Sequence, residues 1–131
     1  MQNFRDLLVY RKAYALVLTL YKLTRSFPVD ERFGMTSQIR RCVASIPANI
    51  AEGCGRGENG DFARFLRIAA GSANELDFHL ELARDLEYLT LGNYKPVNES
   101  LIEIKKMLSA LIARVEGDAE RDERLASKTD N

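Results

Sequence analysis

The chain has 131 residues, a length for one domain whose core needs neither disulfide nor metal as compensation. Apolar residues make up 46% and charged residues 29%, an ordinary globular balance. Nineteen Lys+Arg against nineteen Asp+Glu leave a formal net charge of zero, which excludes a uniformly basic nucleic-acid binder but not a local basic patch.

Residues 4–26 predict the first helix. Asn3 with Asp6 resembles a capping pair. Phe4, Leu7, Leu8, Tyr14, Ala15, Leu18 and Tyr21 recur at the spacing of one helical face. Residues 13–18 are all apolar, so one bundle face cannot satisfy this helix. Its second face is expected to be buried against another copy. A charge at Tyr14 or Leu16 should break that contact if their face is the outer one. Phe27-Pro28 ends the helix, because the residue before proline is pushed out of the α region.

Residues 34–53 predict the second helix. Met35, Ile39, Val43, Ile46 and Ile50 make its core stripe, and Pro47 is expected to kink the helix without ending it. Gln38, Arg41, Ser45, Asn49 and Glu52 form a separate polar stripe. The glycine-rich EGCGRGENG follows as a loop. Phosphate-cradling glycine loops follow a β-strand, and the P-loop also needs Gly-Lys-Ser/Thr, so capping and connection explain these glycines better.

Residues 61–90 predict the third helix, with a seam of Phe62, Phe65, Ala69, Ser72, Leu76, His79, Ala83 and Leu86. Its middle, Ala69-Ala70-Gly71-Ser72-Ala73, is thin enough for a close helix approach, which gives Gly71 a packing reason. Leu91-Gly92-Asn93 reads as a turn. Residues 96–115 predict the fourth helix, with Val97, Leu101, Ile104, Leu108, Leu111 and Val115 as its stripe and Gly117 as its end. The expectation is an all-α, antiparallel up-down-up-down four-helix bundle over residues 1–117 and a charged, disordered tail over 118–131.

Candidate chemistry is sparse. A di-iron bundle needs about four carboxylates and two histidines. This chain has one histidine, and Glu75 with His79 does not complete a shell. Cys42 and Cys54 lack the spacing of a zinc site, and Cys42 beside the core stripe reads as a small buried residue. No catalytic, cofactor-binding or metal site is therefore expected. The polar stripe suits a buried network facing the thin part of the third helix, where Arg41 would pair with Glu75. Arg40 should point outward, so Arg41→Ala should cost more stability than Arg40→Ala.

Charge divides the chain. Residues 1–57 hold nine Lys+Arg and four Asp+Glu, a net of +5, and residues 58–131 hold ten and fifteen, a net of −5. The halves should attract each other within one bundle or between copies. A weak, salt-sensitive nucleic-acid surface would centre on Arg40, Arg56, Arg64 and Arg67, though these arginines have acidic neighbours such as Glu58 and Asp61 and no aromatic stacking platform. No run of about 18 apolar residues is present to span a membrane. MQNFRDLL lacks a signal-peptide pattern, and two cysteines without a secretion signal suggest a reducing cytoplasm.

SIPANIAEG (residues 45–53) followed by FLRIAAGSANEL (residues 65–76) closely resembles the four helix bundle protein family, also called the 23S rRNA-intervening-sequence protein family. FRDLLVYRKA, MTSQIRRCVASIPANIAEG and IEIKKMLSALI match its helices, so the resemblance covers residues 4–116. Tyr10 stands where the family often has tryptophan. The resemblance implies a left-handed antiparallel bundle assembled as a homopentamer, with no enzymatic activity. Some members are encoded inside insertions in bacterial 23S rRNA genes. A distant relative serves diversity-generating retroelements through a basic pentameric barrel, a character that this neutral chain lacks. The expected function is a non-enzymatic oligomeric scaffold or adaptor with a protein or RNA partner; the alternative is an RNA-binding accessory protein.

Overall fold

The computed structural model describes residues 3–129. The first two residues of the expected bundle domain and the last two of the expected tail lie outside them. Four helices and no strand occur among the described residues: α1 (Leu8–Leu23), α2 (Met35–Cys54), α3 (Asn59–Asp85) and α4 (Leu91–Thr129). Each helix packs on its neighbours in the chain, and α4 returns to α1, so the four close around one core. Polar contacts mark how α3 and α4 run. Asn59, Arg67 and Asp77 of α3 meet Asp122, Glu116 and Lys105 of α4, at 2.8, 2.9 and 2.5 Å.

The stripes of α2 and α4 are buried as their spacing predicts. That of α1 is not. Its core side is Val9, Ala13, Leu16 and Leu20, whereas Leu8, Tyr14, Leu18 and Tyr21 face solvent. Two apolar faces compete on this helix, and spacing does not rank them. Leu16 is thus a core residue, 3% exposed, and a charge there would attack the fold itself. A short 3-10 turn, Phe4–Asp6, precedes α1. Asn3 Oδ1 accepts from the Arg5 N–H at 3.0 Å.

Pro47 is buried inside α2, which continues past it. The N-terminus of α2 lacks a side-chain cap at Gly34, but Glu31 Oε1 accepts from Met35 N at 3.3 Å and its Oε2 accepts from the Tyr88 hydroxyl at 3.0 Å. At the other end, a Cβ on Gly53 would lie 2.9 Å from Phe62 and 3.0 Å from Phe65. Glycine there lets α2 and α3 close together.

α3 departs from expectation in three ways. It ends at Asp85, not Thr90, because Glu87 takes a left-handed φ of 65°. Tyr88 N then bonds to Ala83 O and Glu87 N to Arg84 O, the Schellman pattern that closes a helix. Its core side is Phe62, Ala63, Leu66, Ala69, Ala73, Leu76, Leu80 and Ala83, so Leu86 is exposed and Phe65, Ser72 and His79 lie at the margin. Gly71 is exposed with open space where a Cβ would stand, so no packing within the chain requires it.

α4 starts earlier and ends later than its stripe suggests. Thr90 accepts from Asn93 N through Oγ1 at 3.1 Å, which caps the helix and makes Leu91-Gly92-Asn93 its first turn. Gly117 does not stop it. Nothing occupies the space a Cβ would take, and a helical glycine costs only about 1 kcal/mol. Residues expected to be a disordered tail therefore continue the helix to Thr129. The Arg121–Asp118 pair and the Asn59–Asp122 bond support its first two turns past Gly117, and residues 120–129 are exposed.

Candidate functional site

The polar stripe of α2 meets α3 at two places. Near the N-terminal end, Gln38 Oε1 accepts from Arg41 at 2.8 and 3.1 Å, which aims the guanidinium at Glu75. Arg41 and Glu75 form a close ion pair. The same Glu75 oxygen accepts from Cys42 Sγ at 3.0 Å and lies 3.5 Å from His79 Nε2. One helical turn on, the Ser45 and Ser72 hydroxyls are 2.8 Å apart, and Asn49 Nδ2 donates to Ser45 Oγ at 2.9 Å. Glu52 leaves the stripe to pair with Arg56 at 3.4 Å. The pairing expected of Arg41 and Glu75 is present, but a buried network is not. Their side chains are 55% and 43% exposed, and only Ser45 and Asn49 are half-buried.

The electrostatics follow from one carboxylate with three donors. The hydrogen bond from Cys42 first, and the Arg41 guanidinium after it, hold the Glu75 carboxyl below its usual range. Burial, then the bond it donates to Glu75, push the Cys42 thiol up to about 12. At neutral pH this sulfur is a thiol, not the thiolate that nucleophilic chemistry needs. Sequence spacing identified Glu75 and His79 but not their meeting with Cys42. Cys42 stands one residue from Arg41, on the border between the core and polar stripes, and that position was the available signal.

The four candidate nucleic-acid arginines do not form one cluster. Arg40 lies about 20 Å of helix rise from the end of α2, where it joins α2 to α1. Its Nε donates to Thr24 Oγ1 at 2.9 Å, its Nη2 donates to Tyr21 O at 3.1 Å, and its guanidinium covers the Tyr21 ring at 4.7 Å. It is not the outward-pointing residue its stripe suggested. Arg56 and Arg64 do converge, on Phe65, at 5.1 and 4.5 Å from the ring centroid. An aromatic does therefore sit beside these arginines, because Phe65 occupies the margin of α3 rather than its core. Asp61 lies 3.5 Å from Arg64 and 3.9 Å from Arg56, and Arg67 pairs with Glu116 at 2.9 Å. Local carboxylates thus offset each member of this group.

Helix order, stripe burial and the α2–α3 contacts define an all-α four-helix protein. The model of the 23S rRNA-intervening sequence protein family matches residues 5–110. A crystal structure of a protein with unknown function from the S23 ribosomal protein family of Bacteroides thetaiotaomicron VPI-5482 is similar to it. The two share 36% identity with a TM-score of 0.74, over 80% of this chain and 98% of that one. No curated protein matches. The chain belongs to the 23S rRNA-intervening sequence protein family. No helix of the described residues is long and apolar enough to cross a membrane.

Proposed function

We propose that this protein is a non-enzymatic, self-assembling scaffold or adaptor of a bacterial cytoplasm, built as an antiparallel up-down-up-down bundle. The descending order of α4 partners along α3 supports the antiparallel reading. The observation that carries self-assembly is a pair of different exposed apolar faces. Tyr14, Leu18 and Tyr21 line the outside of α1, and Phe78, Leu82 and Leu86 line the outside of α3. Exposed Gly71 adds no bulk to the second face. Two unlike faces on one chain suit a head-to-tail contact, which closes into a ring when its rotation allows. The family resemblance supports five copies in that ring. The non-enzymatic reading is supported by the family resemblance, which carries no enzymatic activity.

Light scattering on the purified chain tests this directly. A pentamer at micromolar concentration is the expected result. A monomer would remove the whole reading, and a dimer or tetramer would remove the count of five.

The second reading is an RNA-binding accessory protein, favoured by Arg56 and Arg64 flanking Phe65. Repetition around a ring would multiply a weak site through multivalency. A titration with structured RNA at two salt concentrations separates the readings. Affinity that falls steeply with salt, and is lost in Arg64→Glu with Arg67→Glu, supports RNA contact. Absence of binding at about 50 mM salt leaves the scaffold with a protein partner.

A further inference from the structure

We propose that Cys42 Sγ, a Glu75 carboxylate oxygen and His79 Nε2 form a three-ligand site for one Zn2+ or a similar divalent transition-metal ion. The three ligand atoms lie within 4.8 Å of one another. They combine a sulfur, an imidazole nitrogen and a single carboxylate, a donor set for zinc-like ions rather than the all-oxygen set that calcium or magnesium prefers. Zinc bonds of about 2.3 Å to sulfur and 2.0 Å to nitrogen or oxygen, at tetrahedral angles, separate sulfur from oxygen by about 3.5 Å and nitrogen from oxygen by about 3.3 Å. The corresponding separations here are 3.0 and 3.5 Å. Movements of a few tenths of an ångström would bring these two edges to that geometry, and the third, from sulfur to nitrogen and within 4.8 Å here, would have to close to about 3.5 Å.

The ligands are also well placed mechanically. Cys42 is fully buried on α2, and Glu75 and His79 stand one turn apart on α3, so two packed helices fix the site. Glu75 is the exposed side, through which an ion would enter. Three protein ligands leave a fourth position for water or a partner group. Arg41 is the competing cation: its Nη2 bonds to Glu75 and lies 3.4 Å from Cys42 Sγ, so the guanidinium must swing aside for an ion to bind, keeping Gln38 Oε1 as its acceptor. On binding, the Cys42 S–H bond breaks, its electron pair goes to the metal, and one proton leaves to solvent. The charged or titratable groups facing the thiol are Arg41 from its own helix and Glu75 and His79 from α3.

Cobalt(II) titration of the full-length protein in its native assembly tests the site. Thiolate-to-cobalt charge-transfer absorption is expected with one metal per chain. Release of a thiol proton makes the affinity climb about tenfold per pH unit near neutrality. Cys42→Ser should abolish the band, and His79→Gln should weaken binding about tenfold or more. Arg41→Gln should tighten it several-fold by removing the competing charge. Cys54→Ser, at the other buried thiol, should change nothing. If Cys42→Ser does not fold, as judged by circular dichroism, His79→Gln and Glu75→Gln decide the matter alone. No charge-transfer band in the wild type, or a band lost only in Cys54→Ser, would overturn the assignment. So would unchanged affinity in both His79→Gln and Glu75→Gln.

Discussion

α1 and α4 carry equally regular apolar stripes, yet they use them differently. Every member of the α4 stripe is in the core, from Val97 to Val115, and the large apolar side chains that helix exposes, Leu91, Ile102 and Leu125, are scattered along it rather than gathered on one face. In α1 the core takes Val9, Ala13, Leu16 and Leu20 and leaves Tyr14, Leu18 and Tyr21 outside. A helix with one apolar face has one way to pack. A helix with more than one leaves its remaining apolar surface for a partner. On the self-assembly proposed above, the difference separates residues that hold the chain together from residues that would hold chains together.

Core truncation should give the largest effect. Leu108→Ala in α4 removes a fully buried side chain, and Leu16→Ala in α1 removes one that is nearly so. Each should cost about 2–5 kcal/mol in chemical denaturation. If Leu16→Ala were neutral, the assignment of the inner face of α1 would be wrong. Tyr14→Glu and Leu18→Glu should do the opposite. Their side chains are 49% and 58% exposed, so the isolated bundle should keep its helicity while light scattering shows smaller species. Loss of helix content in these variants would place their face inside the chain.

The same contrast explains what could be read from the residues alone. Four helices, the stripes of α2 and α4 and the Arg41–Glu75 pair were legible because each had one competing arrangement at most. The face of α1 was not, since neighbouring stripes were similarly apolar. Helix ends failed for local reasons. The left-handed turn sits at Glu87, where glycine would have signalled it, and Thr90 caps α4 ahead of a glycine that reads as a turn. The Cys42–Glu75–His79 meeting depends on the rotation of α2 against α3, which no single-helix pattern contains.

Arginine substitutions should show a smaller difference, in the reverse order from the one the stripes suggest. Arg40 bonds to buried Thr24 and to a carbonyl near the C-terminal end of α1, where the helix dipole favours a cation. Arg40→Ala should cost about 1–2 kcal/mol. Thr24 keeps its bond to Leu20 O at 2.7 Å, so no buried hydroxyl is stranded. The Arg41–Glu75 pair is half-exposed, and Arg41→Ala should cost about 1 kcal/mol or less. Equal denaturation midpoints would mean that the α1–α2 seam draws nothing from Arg40.

The smallest effect concerns the turn that launches α4 toward its partners. Glu87 holds a φ of 65°, where a Cβ crowds the following carbonyl and an L-residue pays roughly 1–2 kcal/mol. Its own amide and that of Tyr88 already close α3 by donating to the carbonyls of Arg84 and Ala83. Glycine removes the crowding but gives the unfolded chain more freedom, which cancels part of the benefit. Glu87→Gly should therefore stabilise the protein by about 0.5–1 kcal/mol. Urea unfolding should show a higher midpoint with an unchanged slope. Glu87→Ala keeps the Cβ and should give no such gain. If glycine and alanine behaved alike, the exposed Glu87 side chain, not the backbone, would be the source of the change, and the left-handed turn would contribute no strain.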